Sequence, residues 1–305
     1  MIHFNKTNSK NYAQVQTQIL GSISKHFPEG GWSESFEYEE GKLNFSLFIN
    51  QKSDVLMSHG AADKNYHWRK DPDVEGGRLN HSLERKHLFV PGPWLKRRIV
   101  ESAHLDFNED QVHAIGWPRL DQLIEDQKAL EADQVEGAQK KVLWAPTHDF
   151  ARRGKKQVSL SSYPKFEKFI PKLEKHYSVS TSLHPRNRKE KNPTVHSLVE
   201  SDVVITDFGT MVYEAVALGK QVIYPDWIVG EPITRHLKNS AENAIFKEQF
   251  GLHANSFKEM RAMIDSEQKI DERSQAFFDD FLPPETYGVS GKLIADTLMQ
   301  IDSAG

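Results

Sequence analysis

Ser201–Asp226 reads SDVVITDFGTMVYEAVALGKQVIYPD. Asp202–Thr206 is a short apolar run of β-branched residues, the signature of a buried strand rather than a helix. It ends at Asp207, and Phe208-Gly209-Thr210 turn the chain into the helix-forming stretch Thr210–Leu218. Gln221–Tyr224 is a second apolar run. Strand, helix and strand in this order predict a parallel crossover with helices covering the sheet. The flanking sequence repeats the alternation, with strands at Lys141–Trp144 and Tyr177–Ser182 and helices at Tyr163–His176 and Thr194–Val199. A parallel sheet of this kind takes ligands at the carboxyl ends of its strands. The loops after Trp144, Ser182, Thr206 and Tyr224 are therefore where chemistry is expected.

The first half follows the same plan. Val15, Ile19, Leu20 and Ile23 give Asn11–His26 an amphipathic helical stripe, and Leu95–Glu101 is a second helix. Leu43–Ile49, Val55–Ser58, Leu88–Val90 and Val112–Ile115 read as strands. The polar stretch Asp121–Gln139 marks a boundary. A length of 305 residues suits two domains. The expectation is an N-terminal domain over residues 1–125 and a second, parallel α/β domain from residue 126.

Composition removes several classes of function. Lys and Arg total 39 against 43 Asp and Glu, a formal net charge of −4, which disfavours a nucleic-acid partner. The count of 0 cysteines excludes disulfides, thiolate metal sites and a cysteine nucleophile. The 14 histidines are scattered without metal-ligand spacing, so no metal and no cofactor are expected. No apolar run reaches the roughly 20 residues of a membrane span, and the N-terminus has no signal-peptide core, so a cytoplasmic location is expected.

Four segments carry candidate chemistry, each with a plainer alternative. At Asp207–Thr210, Gly209 permits close backbone approach and the helix start offers free N–H groups to a phosphate; alternatively Asp207 and Thr210 are ordinary caps. Glu214, one turn on, either accepts from ribose hydroxyls or is solvated. SLHPRNRKEK (182–191) places His184 at a strand end beside Arg186, Arg188 and Lys189, a local basic cluster for an anion or a solvated loop. In KVLWAPTHD (141–149), Thr147 and His148 sit at a strand end, with basic residues at 152–156 beyond. In DVLMSHGAAD (54–63), a strand delivers His59 and Gly60 into a loop, as a general base or as a structural histidine.

Taken together, His59-Gly60, Gly116-Trp-Pro-Arg119-Leu-Asp121, Trp144-Ala-Pro-Thr147, His184-Pro185 and Thr206-Asp-Phe-Gly-Thr210 resemble the CDP-glycerol glycerophosphotransferases of teichoic-acid synthesis. The resemblance implies an α/β, GT-B-like fold: two Rossmann-like domains, 1–125 and 126–285, facing a cleft, with a last helix at Gly288–Ile301, within the terminal piece 286–305, packing back toward the N-terminal domain. It implies metal-independent transfer of a polyol-phosphate group from a CDP-linked donor to a hydroxyl of a glycan or polyol-phosphate acceptor, lipid-linked in some cases, with release of CMP. On this basis His59 and His184 are expected to be catalytic. Thr147, Arg186, Asp207, Gly209, Thr210 and Glu214 are expected on the donor, and Gly60 and Arg119 on the acceptor side. Peripheral contact with the inner face of the membrane belongs to the same expectation, with Lys96–Arg98 as one candidate. In the family the phosphate turn usually reads Asp-Tyr-Ser-Ser, where this chain has Asp207-Phe-Gly-Thr210. The competing expectations are a glycosyltransferase using a CMP- or UDP-linked sugar and a non-catalytic nucleotide-binding module.

Overall fold

The computed structural model describes residues 1–10, 12–49, 51–62, 85–102, 105–131, 139–147, 159–184 and 194–304. The chain divides into two compact units, Met1–Ile124 together with Asp280–Gly305, and Glu125–Asp279.

In the first unit, the described strands are β1 (Ile2–Asn5), β2 (Trp32–Ser35), β3 (Leu43–Ser46), β4 (Val55–Met57), β5 (His87–Val90) and β6 (Val112–Ala114). They form one sheet in the order β2-β1-β3-β4-β5-β6, and all neighbours are parallel. Its core includes Leu56, Leu88, Val90 and Val112, packed on Leu95 and Ile99 of the helix Pro93–Val100. β1 and β2 are absent from the sequence expectation because their residues are not an apolar run. His3 is fully buried in β1, where its ring nitrogens meet the hydroxyls of Ser33 and Ser35 at 3.0 and 3.1 Å. A polar pair satisfied across two strands is invisible to a hydrophobicity pattern.

The second unit holds β7 (Lys141–Ala145), β8 (Ser178–Thr181), β9 (Val203–Thr206), β10 (Gln221–Pro225) and β11 (Leu252–Ala254). Its sheet runs β11-β10-β9-β7-β8, again parallel throughout. Val142, Trp144, Val203, Ile205 and Ile223 pack there with Phe166 and Leu173. The helix Thr210–Ala217 follows β9 as expected. The expected helix over 163–176 is instead a series of turns, a 3-10 segment at Glu167–Phe169 and one α turn at Ile170–Leu173. Pro164 and Pro171 supply no N–H, so neither position can donate to a continuous helical ladder.

The chain ends in the helix Ser290–Ala304, which packs on Ala13–Ser24 within the first unit. Gly116-Trp-Pro-Arg119-Leu-Asp121 holds it there. Asp121 is buried and accepts from the N–H groups of Ser290 and Gly291 and from the Ser22 hydroxyl. The Trp117 N–H donates to the Ser290 hydroxyl at 2.9 Å. Gly116 has φ +82°, and a Cβ there would lie 2.2 Å from that same hydroxyl oxygen. Burial pushes the Asp121 carboxyl up, against the pull of its three donors. Among the described residues no helix is long and apolar enough to cross a membrane.

Candidate functional site

The second sheet has its switch point between β7 and β9: the chain leaves β7 for β8 on one side, then returns to place β9 on the other. Loops diverge at such a point and leave a crevice outside the carboxyl ends of the strands. Ala145 stands beside Thr206 in register, so the two loops begin at Pro146-Thr147 and at Asp207.

Asp207 ties those loops together. It is 0% exposed, and its Oδ2 accepts from the N–H groups of Thr147 and Ser162 at 3.0 and 2.9 Å. The Ser161 hydroxyl lies 3.2 Å from Oδ2 and 2.7 Å from the Thr147 carbonyl oxygen, so one hydroxyl proton serves both. Trp144 Nε1 donates to the Ser162 hydroxyl at 3.1 Å, fixing the same segment to β7. Oδ1 of Asp207 has no partner among the described residues. Burial raises the carboxyl from 3.8 to about 6, and the bonds from Ser162, Thr147 and Ser161 only moderate that rise. A pair of serines in a loop carries no sequence pattern, which is why Ser161 and Ser162 were not among the expected site residues.

The turn beyond Asp207 is open. Gly209 has φ 102° and ψ −170°, a conformation essentially confined to glycine. It is the N-cap residue of Thr210–Ala217, and no side chain caps that helix. The alternative in which Asp207 and Thr210 are ordinary caps does not hold: no side chain caps the helix, and the Asp207 carboxyl is buried. The Val212 N–H donates to the Gly209 carbonyl oxygen at 3.1 Å; the N–H groups ahead of it lie at the positive end of the helix dipole, the arrangement that binds anions. Glu214 is 0% exposed, so the solvated alternative for it does not hold either.

His184 lies just past β8, half-buried, after the Ser182 N–H makes a last bond to the Trp144 carbonyl at 2.9 Å. Arg186, with Arg188, Lys189, His148 and residues 152–156, lies outside the described residues.

In the first unit the switch point falls between β1 and β3, because β2 lies on the far side of β1. Tyr12, after β1, and Phe48, after β3, come from the two diverging loops, and their rings meet at 5.1 Å. His59, two residues past β4, is held between them. Its imidazole stacks on Phe48 at 4.9 Å and 22° and meets Tyr12 edge-on at 4.9 Å and 63°. Gly60 is buried, and its N–H reaches the Ser58 hydroxyl at 3.3 Å. Arg119 heads the helix Arg119–Glu131, half-buried, in the stretch that anchors the terminal helix. Neither Tyr12 nor Phe48 was an expected site residue; an aromatic ring in a loop gives no local sign of which side chain it will clamp.

Two α/β units, each a parallel sheet with a switch point, give the chain a GT-B-like architecture. The chain belongs to the CDP-glycerol:poly(glycerophosphate) glycerophosphotransferase family, whose model matches residues 55–283. It is thus a CDP-glycerol glycerophosphotransferase-like enzyme, as the sequence motifs led one to expect. Among solved structures it is similar to the wall teichoic acid polymerase TagF, at 16% identity and a TM-score of 0.65, over 100% of this chain and 89% of that one. A variant of that polymerase soaked with CDPG gives 15% identity and a TM-score of 0.59, over 100% and 89% of the two chains. The UDP-GlcNAc 2-epimerase from Neisseria meningitidis bound to UDP-GlcNAc gives 14% and 0.51, over 98% and 99%. At these identities the likeness establishes the fold, and the α/β, GT-B-like expectation is borne out. Comparison with curated proteins gives no match.

Proposed function

We propose that this enzyme moves glycerol phosphate from CDP-glycerol to a hydroxyl of a wall glycan or polyol-phosphate acceptor, with the residues identified above in defined roles. The observation that carries the assignment is the crevice at the β7–β9 switch point, where buried Asp207 fixes both loops and Gly209 opens an uncapped helix start. There the donor's pyrophosphate would lie against the N–H groups at Gly209 and Thr210, with Thr147 on the opposite loop and His184 and Arg186 from the next one. Asp207 acts as a strut rather than a ligand, because a buried carboxylate directly against a phosphate would repel it. Glu214 would take the ribose hydroxyls.

In the transfer step the acceptor oxygen forms a bond to the phosphorus that carries glycerol. The bond from that phosphorus to the bridging oxygen breaks, and CMP leaves with the bridging oxygen and its electron pair. His59 would accept the acceptor's proton. Its two ring contacts fix the imidazole plane, which is what a base aimed at one hydroxyl requires. Gly60 and Arg119 would lie toward the acceptor. Fixed N–H dipoles and His184 supply the charge stabilisation in this scheme, so transfer is expected without an added divalent cation.

The test is CMP release from CDP-glycerol in the presence of a polyol-phosphate acceptor. His59→Ala and His184→Ala should each abolish most of it. Near-wild-type release by both variants would overturn the assignment. Stabilisation by UDP in preference to CDP in a thermal-shift series would move the donor to another nucleotide.

A further inference from the structure

The carboxyl edge of the second sheet carries a built feature that the donor site does not use. Phe169 and Phe257 stack at 4.8 Å and 16°, and Trp227 meets Phe169 edge-on at 5.8 Å and 81°. These rings come from three places: Trp227 directly after β10, Phe257 shortly after β11, and Phe169 from the connection between β7 and β8. All three are only half-buried, so their outer faces reach solvent. Two ammonium groups converge on this shelf. Lys168 Nζ lies 5.2 Å from the Phe169 centroid, while Lys172 Nζ lies 5.7 Å from Phe169 and 5.9 Å from Phe257.

The lysines extend beyond the rings. Lys165, Lys168, Lys172 and Lys175 lie along the turns between Tyr163 and His176. All four are exposed, and none forms an ion pair with a described residue. In the same stretch only Glu167 and Glu174 oppose them, within a chain whose formal net charge is −4.

We infer that Phe169, Phe257, Trp227, Lys168 and Lys172 form a docking site for the body of an anionic polyol-phosphate acceptor chain. The chemistry matches in both parts. Each repeat of such a chain offers a phosphate to an ammonium group and the C–H face of a polyol to an aromatic ring. The shelf opens on the sheet edge that carries the Gly209 turn, so a chain held there stays beside the unit that binds the donor. The inference rests on the glycerophosphotransfer reading above. It adds a subsite for acceptor already polymerised, distinct from the hydroxyl that reacts.

The experiment compares two acceptors with the intact chain and CDP-glycerol: a single glycerol-phosphate unit and a long poly(glycerol phosphate). In Lys168→Gln/Lys172→Gln, KM for the long acceptor should rise about three- to tenfold, the scale of two exposed ion pairs, with kcat unchanged. KM for the single unit should stay at the wild-type value, and the salt dependence of long-acceptor binding should weaken. Lys168→Arg/Lys172→Arg should restore the wild-type length preference, and Phe257→Leu should erode it with charge intact. Equal KM shifts for both acceptors, or none for either, would overturn the inference. So would a double variant that binds polymer normally but loses binding to phosphatidylglycerol vesicles, since the shelf would then face a lipid surface. Failure of the transfer reading looks different: the wild-type enzyme would release no CMP with either acceptor.

Discussion

Asp121 accepts the backbone N–H of Gly291 at 2.7 Å, closing a loop of 170 residues with one buried carboxylate. The same side chain takes the Ser290 N–H at 3.1 Å and the Ser22 hydroxyl at 3.1 Å. Gly291 is required at that point, because a Cβ would meet the Ser22 carbonyl oxygen at 2.2 Å. One acid thus caps the terminal helix and fastens it to the helix Ala13–Ser24. Asp121→Ala should cost about 3 kcal/mol, since two backbone donors and a hydroxyl would be buried without partners. Asp121→Asn should cost less, and Gly291→Ala should separate the two helices. Urea unfolding of the three variants checks this.

Asp207 gives a pH signature. Its carboxyl rises from 3.8 to about 6 in the folded chain, so the folded state holds the proton more tightly than the unfolded state. Its protonated form stabilises the fold at low pH, and that contribution is lost as pH rises through about 6. Across the shift the loss amounts to about 3 kcal/mol. Asp207→Asn cannot titrate, and its oxygen can still accept from Thr147 and Ser162. Stability of the wild type relative to this variant should therefore decline between about pH 4 and pH 7, measured by denaturant midpoints. A flat difference would show that the carboxyl titrates normally.

Gly209→Ala isolates conformation from sterics. A Cβ at Gly209 meets nothing within 4 Å, yet φ is +102°. The whole penalty is backbone strain, about 1–3 kcal/mol. The turn relieves that strain by rotating its N–H groups away, so KM for CDP-glycerol should rise together with the loss in melting temperature. A variant that is destabilised but binds donor normally would remove Gly209 from the phosphate site.

His59→Ala should lower kcat by about 10²–10⁴, the usual contribution of a positioned base, with little change in donor KM. Phe48→Leu keeps the imidazole but removes its stacking partner. It should lower kcat less, by up to about 10²-fold, since the ring is free to turn away from the acceptor. Rates of CMP release at saturating donor separate the two effects.

The role of fixed dipoles is open to a direct check as well. Activity should persist in EDTA at a level close to that with added magnesium. Loss of activity on chelation, restored by the metal, would require a cation in the phosphate crevice.

Parallel strands that are covered on both faces must be apolar runs, and β4, β5, β7, β9 and β10 were legible for that reason. β1 and β2 were not, because His3, Ser33 and Ser35 satisfy one another across strands that are far apart in sequence. The helix expected over 163–176 yielded to two prolines whose effect on the backbone outweighs the surrounding helix-forming residues.

The order of short motifs along the chain was sufficient, by itself, to point to the family and to the α/β, GT-B-like fold. Local sequence also contains Gly209, which makes the turn after β9, because backbone freedom is a property of one residue. What each polar side chain does was decided only by the tertiary structure. Asp207 reads either as part of a phosphate-binding turn or as an ordinary cap, and its buried carboxylate joins two loops; Asp121, in a motif read only as a family landmark, anchors the terminal helix. Tyr12 and Phe48 clamp His59 from loops on either side of a switch point. The difference is physical: strand and turn propensities act between neighbours in sequence, whereas burial, pairing and pKa depend on groups brought together across the chain.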